Sequence, residues 1–168
     1  MTAPASRLVV NTSPMIHLAE ADLLSLLKEA APIIWIPEPV AREIRAHGPR
    51  DLTARALAVE DWLEVRPVPR LSAEVQAWDL GPGESAIIEL ARTFADSTAV
   101  IDDLAGRRCA EALGLALRGA VGLVLASKQA GRPRSPAWCR RDCATTECIC
   151  PTRYCSGRCG SWGSRPGH

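Results

Sequence analysis

The chain has 168 residues, of which 47% are hydrophobic and 23% charged, and its net charge is +1 at pH 7. These values are typical of a globular domain and exclude a disordered chain, a collagen and a coiled coil. The longest apolar stretch, residues 114–126, is interrupted by Arg118 and is shorter than the roughly 18 residues that a membrane span needs. We therefore expect no membrane contact. Because no signal-peptide pattern precedes Arg7, we expect a cytoplasmic protein.

Strand-like and helix-like segments alternate along the first 130 residues. The strand patterns are short apolar runs, whereas the helix patterns space apolar residues three and four apart. In chain order the sequence predicts a strand at 7–11, a helix start at 12–14, two helices within 15–31, a strand at 33–36, and helices near 40–45 and over 52–63. It then predicts an extended piece at 64–68, a helix at 73–78 and a loop at 81–85 that opens a helix to about 95. The last predicted elements are a strand at 99–101, a helix at 105–114, a strand at 116–119 and a helix at 120–130. This alternation predicts an α/β fold, with a mainly parallel sheet and helices on both faces.

Charge and cysteine content divide the chain into two parts. Residues 1–131 contain 17 acidic and 13 basic side chains, a balance of −4. Residues 132–168 contain seven arginines and two acids, a balance of +5, and six of the seven cysteines lie between Cys139 and Cys159. We therefore predict a domain over residues 1–131 and a separate Cys- and Arg-rich tail over residues 132–168.

Polar side chains directly follow two of the predicted strands. Asn11 follows the first strand, and Asp102 and Asp103 follow a later one. Ligands of parallel sheets bind beyond the carboxyl ends of the strands, where the strand order reverses. Carboxylate and carbonyl oxygens from several elements are the ligands that Mg²⁺ or Mn²⁺ prefers. The sequence therefore predicts a candidate site at this edge of the sheet.

Two further acids could contribute to such a site. Glu84 stands at a helix start behind a Gly-rich loop, and Glu43 lies on the helix after the second strand. Simpler interpretations exist for each acid: Glu84 suits the positive end of a helix dipole, the Asp102–Asp103 pair suits a helix N-cap, and Glu43 suits a solvated surface. The residue types alone leave both interpretations open.

Four segments within residues 7–130 indicate a family more specifically together than each does alone. The sequences VVNTSPMIHLA, WIPEPVAREI, GPGESAIIELA and VIDDLAGRRCAEALGL occur in this order within residues 7–130. Together they resemble the PIN-domain family, and the Asn-Thr-Ser-Pro start is similar to a branch related to VapC-type toxins. The resemblance implies a Rossmann-like α/β sandwich.

The resemblance also implies an activity and its partners. It implies a metal-dependent endoribonuclease that hydrolyses RNA phosphodiesters through an acidic cluster binding Mg²⁺ or Mn²⁺, as the toxin of a toxin–antitoxin pair. RNA, a cognate antitoxin and a second copy in a homodimer are the implied partners. Matched by position, the implied metal ligands are Asn11, Glu43, Glu84 and Asp102, and the implied catalytic acids are Glu43, Glu84, Asp102 and Asp103.

The same resemblance suggests substrate contacts. Thr12 or Ser13 matches the hydroxyl residue beside the first ligand. Arg107 and Arg108 follow the acids by one turn, so they could hold RNA phosphates or could be solvated helix-face charges. His17 and His47 are interpreted as helix-face and loop residues, because PIN-type hydrolysis needs the metal rather than an imidazole base.

Asn11 departs from the usual pattern of the family. Most PIN nucleases have Asp at this position, so the metal site here loses one negative charge. An amide oxygen still binds a hard cation, so Asn in place of Asp weakens the metal site rather than removing it. The alternative is a non-catalytic PIN-like module that binds nucleic acid or protein.

The six tail cysteines need their own explanation. Their spacings contain no C-x2-C pair, which disfavours a zinc site, and a cytoplasmic chain disfavours disulfides. Cys and Trp codons both begin with TG, so a one-base shift turns each into a Met, Leu or Val codon. We therefore predict that residues from about 132 onward are read out of frame and form a disordered tail without zinc. Loss of the in-frame final helix is expected to expose Ile87, Leu90 or residues 121–125.

Overall fold

The central feature is a five-stranded sheet with the strand order β3-β2-β1-β4-β5. The computed structural model describes residues 5–129. Every adjacent pair of strands is parallel, which confirms the predicted α/β class. The strands are β1 (Arg7–Val10), β2 (Ile33–Pro37), β3 (Leu63–Arg66), β4 (Ser97–Val100) and β5 (Ala116–Arg118).

Eight helices connect and cover the strands within residues 5–129. They are α1 (Thr12–Glu20), α2 (Ser25–Ala30), α3 (Glu38–Ala46), α4 (Leu52–Val59), α5 (Ala73–Gln76), α6 (Pro82–Arg92), α7 (Leu104–Ala112) and α8 (Ala120–Gln129). None of these helices is long and apolar enough to cross a membrane.

The central strand shows that both faces of the sheet are covered. Successive side chains of a strand point to opposite faces, and the consecutive residues Leu8, Val9 and Val10 are all buried. The neighbouring strand β4 is likewise buried along its whole length. Such runs are typical of a parallel sheet with helices on both sides.

Some element bounds differ from the sequence prediction for local reasons. Helix α1 begins at Thr12, within the predicted helix start and three residues before the helical spacing of apolar residues begins, because the side chain of Asn11 caps it. Strand β4 begins at Ser97 rather than residue 99, and both Ser97 and Thr98 are buried polar residues that an apolar pattern does not detect. Helix α4 ends at Val59, before β3 begins at Leu63.

The core contradicts part of the expected exposure. Ile87 and Leu90 of α6 are buried, so the prediction that they are exposed is wrong. Their helix packs against α3, α7 and the strands β1, β2 and β4, which together cover its apolar side. Val121 and Leu125 of α8, in contrast, are 70% and 53% exposed.

The predicted tail cannot be compared with the structure. Residues 130–168 lie outside the described residues, and with them lie all the cysteines except Cys109. The domain boundary near residue 131, the disordered tail and the absence of zinc therefore stay predictions.

Candidate functional site

The candidate site lies where the chain order of the strands reverses. From β1 the chain continues to β2 on one side, whereas β4 pairs with β1 on the other side. The backbone N–H of Asn11, just after β1, donates to the carbonyl of Val100, the last residue of β4, at 3.1 Å. The ends of these two strands are therefore joined, and a crevice at such a switch point is where α/β sheets bind ligands.

Asn11 is held by two hydrogen bonds of its side chain. Its Oδ1 accepts from the backbone N–H of Thr12 at 2.8 Å, which caps helix α1. Its Nδ2 donates to Oε1 of Glu84 at 3.2 Å. Asn11 is only 2% exposed, so this amide ties the end of β1 to the first turn of α6.

Glu43 reaches the same place through Thr12. The Thr12 hydroxyl donates to Oε2 of Glu43 at 2.8 Å. Thr12 is buried in the first turn of α1, whereas Glu43 is exposed on α3. The predicted hydroxyl residue therefore positions one of the predicted acids, whereas its neighbour Ser13 is exposed.

Gly83 lets the first turn of α6 pack closely against these groups. A Cβ atom at this position would lie 3.3 Å from Oδ1 of Asn11 and 3.5 Å from Oε2 of Glu43. Gly83 is buried and precedes Glu84 in the first turn of α6. We call Asn11, Thr12, Glu43, Gly83 and Glu84 the Asn11 cluster.

The two aspartates after β4 have different surroundings. Asp103 is the N-cap of α7, and its Oδ2 accepts from the N–H of Gly106 at 2.8 Å. A Cβ at Gly106 would lie 3.4 Å from Cγ of Glu84 and 3.6 Å from Oδ2 of Asp103. Asp103 and Glu84 therefore flank the same glycine.

Asp102 contacts other elements. Its Oδ1 accepts from the N–H of Ala120, the first residue of α8, at 2.9 Å. Its Oδ2 lies 3.2 Å from Nδ1 of His17 on α1. Both oxygens of Asp102 therefore have protein partners, whereas Asp103 uses only Oδ2 in its cap.

The two arginines predicted to hold phosphates also differ. Nη1 of Arg107 donates to the carbonyl of Ile101 at 3.1 Å, so this guanidinium is partly committed to the end of β4. Arg108 is exposed on α7. The structure thus leaves Arg108 more accessible than Arg107 to a bound molecule.

The oxygen atoms of the Asn11 cluster fit a hard divalent cation in their chemistry. An amide oxygen and a carboxylate oxygen both lie close to Gly83, and such oxygens are the usual ligands of Mg²⁺ and Mn²⁺. Within residues 5–129, however, no three His, Cys, Asp or Glu side chains stand close enough together to form a metal site. The acids are instead held by separate protein donors: Glu43 by Thr12, Glu84 by Asn11 and Asp102 by Ala120.

Sequence reasoning missed two features of this edge. It interpreted His17 only as a helix-face residue, and His17 is indeed exposed, but it also contacts Asp102, 85 residues away. It interpreted Gly83 only as part of the Gly-rich loop before Glu84. A glycine directly before a candidate ligand at a helix start was the signal that could have indicated close packing there.

These observations define the class of protein. A parallel α/β sheet whose strand order reverses at its centre is a Rossmann-like domain, a class in which ligands bind at the carboxyl edge of the sheet. The family described as DUF3368, PIN domain, matches residues 7–137, and the chain belongs to this PIN-domain family.

A solved structure shares the fold. The chain is similar to the PIN domain endonuclease Utp24, with a TM-score of 0.50 and 14% identity over 70% of this chain and 86% of that one. At this identity the likeness shows the fold alone. No curated protein matches the chain.

Proposed function

We propose that this chain is a divalent-cation-dependent endoribonuclease. The observation that carries the proposal is the Asn11 cluster, in which Oδ1 of Asn11 and Oε2 of Glu43 converge on Gly83 in the first turn of α6. This arrangement occurs in a member of the PIN-domain family, at the edge of the sheet where α/β domains bind ligands. The proposal includes the toxin role in a toxin–antitoxin pair, with a cognate antitoxin and a homodimer as partners and the cytoplasm as the setting.

In this proposal Asn11, Glu43 and Glu84 would hold Mg²⁺ or Mn²⁺, and Asp103 would take the place that the resemblance gives to Asp102. When bound, such a cation supplies Lewis-acid activation of water and neutralises charge that develops on the scissile phosphate. The hydrogen bonds favour Asp103 over Asp102 as the acid facing substrate, because Asp102 has a protein partner on each oxygen.

The chain's own residues fix the acids before substrate arrives. The Thr12 hydroxyl holds Glu43, and the Asn11 amide holds Glu84, so neither carboxylate has to be ordered by the ligand. Preorganised groups of this kind lower the reorganisation that the reaction requires. Arg108 would contact an RNA phosphate from the exposed face of α7.

The proposal is tested with the purified full chain and a short single-stranded RNA of mixed sequence. We expect cleavage with Mg²⁺ or Mn²⁺ and none with EDTA. The Glu84→Gln variant should lose at least about a hundredfold in rate, because the group it removes acts on charge in the transition state. The matched control is Glu111→Gln, which changes an exposed acid in the last turn of α7. Equal cleavage by Glu84→Gln and the parent chain would overturn the assignment.

A second function is favoured by one specific contact. The Asn11 amide donates to the Glu84 carboxylate, which a cation would otherwise contact. Glu84 therefore has a partner in the absence of metal. This contact suits a module that binds nucleic acid or protein without cleaving it. Binding of the RNA with no cation-dependent cleavage, even at high protein concentration, would identify that function.

A further inference from the structure

His17 and Asp102 form a pair at the rim of the candidate site. Nδ1 of His17 lies 3.2 Å from Oδ2 of Asp102, and the two side chains are 60% and 25% exposed. Helix α1, which carries His17, begins at the Asn11 cap, so His17 lies about 9 Å along the helix axis from Asn11. Asp102 follows β4, which pairs with β1. The pair therefore shares the sheet edge of the Asn11 cluster.

Asp102 is itself firmly placed. Its Oδ1 accepts from the N–H of Ala120 at 2.9 Å, at the start of α8. A Cβ atom at Gly119 would lie only 2.8 Å from the same oxygen, so the backbone of the β5–α8 connection packs directly on this carboxylate. A carboxylate fixed in this way can fix the imidazole that it contacts.

The contact selects one tautomer of His17. A carboxylate only accepts, so Nδ1 of a neutral imidazole must carry the proton and donate to Asp102. Nε2 is then an acceptor, on a side chain that is more than half exposed. The neutral side chain thus presents a hydrogen-bond acceptor, held by Asp102, on the sheet edge that carries the Asn11 cluster.

We propose that Nε2 of His17 accepts a hydrogen bond from a ribose 2′-hydroxyl of bound RNA, with Asp102 as its positioning residue. The 2′-hydroxyl is the donor along the backbone that RNA has and DNA lacks. Nucleotides of one helical strand advance about 3.4 Å each, so a strand whose phosphate lies at the Asn11 cluster reaches His17 within a few nucleotides. This inference rests on the proposed function for its substrate class, and it assigns the preference for RNA over DNA to His17.

The test measures binding of fluorescein-labelled RNA and DNA of one sequence to the full chain in EDTA, by fluorescence anisotropy. We expect the parent chain to bind the RNA about 3- to 10-fold more tightly than the DNA, the effect of one hydrogen bond. In His17→Asn the shorter amide can replace Nδ1 but not Nε2, so the two affinities should become equal. His17→Gln, which can place an acceptor near Nε2, should recover part of the preference.

Two further variants separate this role from a structural one. Asp102→Asn should also weaken the preference, because an amide no longer requires a proton on Nδ1. His47 is the matched control, since its Nδ1 lies 3.9 Å from Asp51 in another part of the chain. His47→Asn should leave the preference unchanged.

Each outcome decides the inference. It is overturned if the parent chain binds RNA and DNA equally, if it binds neither, or if His17→Asn keeps the preference. Cleavage of the same RNA in Mg²⁺ is measured separately. A chain that cleaves RNA while His17→Asn keeps the preference overturns this inference alone. A His17-dependent preference without any cleavage overturns the nuclease proposal alone.

Discussion

Nδ2 of Asn11 donates to Oε1 of Glu84 at 3.2 Å, while Oδ1 of the same amide caps α1 through the N–H of Thr12. The cap decides which end of the amide faces Glu84, because only the oxygen can accept from the backbone. Asn11 therefore acts as a neutral donor beside a carboxylate, in a place that is 2% exposed. The charge at this single position should control both the stability of the cluster and its response to cations.

Replacing Asn11 by Asp tests that relationship. Asp also caps helices well, but it would place a second carboxylate beside Glu84 and remove the hydrogen bond between them. In EDTA we expect the free energy of unfolding to fall by about 1.5–3 kcal/mol, the typical value of a hydrogen bond to a charged group. Adding Mg²⁺ or Mn²⁺ should raise the melting temperature of Asn11→Asp more than that of the parent chain.

The control for this experiment is Asn11→Ala, which loses the cap and the hydrogen bond without adding charge. Its melting temperature should fall and should gain nothing from the cations. If Asn11→Asp responds to Mg²⁺ and Mn²⁺ no more than the parent chain, the cluster is not a cation site.

Gly83→Ala separates stability from activity. The added Cβ would lie 3.3 Å from Oδ1 of Asn11, a tight contact, and 3.5 Å from Oε2 of Glu43, so it would press on the first oxygen and pack against the second. Alanine favours a helix over glycine by about 0.5–1 kcal/mol, which offsets the tight contacts, so we expect the unfolding free energy to change by less than about 1 kcal/mol. RNA cleavage should fall by tenfold or more, on the scale by which misplaced groups slow catalysis.

Gly122 supplies the matched control for that substitution. It lies within α8, and a Cβ there would meet no atom within 4 Å. Gly122→Ala should raise stability by about 0.5–1 kcal/mol and leave cleavage unchanged. Unchanged cleavage by Gly83→Ala as well would mean that cleavage does not depend on the positions of the Asn11 and Glu43 oxygens.

Asp103→Asn distinguishes a cap from a reacting acid. Asp103 caps α7, and Asn is as good an N-cap as Asp, so the melting temperature should stay near that of the parent chain. If the carboxylate also serves the reaction, cleavage should fall by about a hundredfold. Thermal unfolding and cleavage rates of the same preparation measure both effects.

Asp51 provides a second capping aspartate for comparison. It caps α4 through the N–H of Ala54 at 2.8 Å, and it follows α3 rather than β4. Asp51→Asn should preserve both stability and cleavage. If Asp103→Asn also preserves both stability and cleavage, Asp103 serves only as the N-cap of α7.

The packing of α6 gives a prediction that is independent of function. Ile87 is fully buried, so Ile87→Ala should lower the free energy of unfolding by about 2–5 kcal/mol through lost burial and a cavity. Val121 is 70% exposed, so Val121→Ala should change the free energy of unfolding by less than about 0.5 kcal/mol. Denaturant unfolding of both variants measures the two values. A loss from Val121→Ala as large as that from Ile87→Ala would contradict the burial described for these two helices.

The sequence by itself determined the α/β class and most element positions, because apolar runs and helical spacing are properties of neighbouring residues. It also indicated the helix start after Asn11 and the N-cap at the Asp102–Asp103 pair, since capping depends on contacts within one turn. The four segments that resemble the PIN-domain family predicted Glu43 and Glu84 as site residues, because a motif is likewise a pattern of neighbouring residues.

Only the tertiary structure decided which groups meet. Glu84 meets Asn11 across 73 positions, and Asp102 meets His17 across 85, so these pairs depend on how α6 and α1 pack at the reversal between β1 and β4. The sequence could not separate Asp102 from Asp103, because they are neighbours with identical side chains. Their contacts in the structure differ, since the N–H of Ala120 at the start of α8 donates to Asp102, whereas Asp103 caps α7 through the N–H of Gly106. Local patterns fix the elements, whereas contacts between distant elements fix the chemistry of the site.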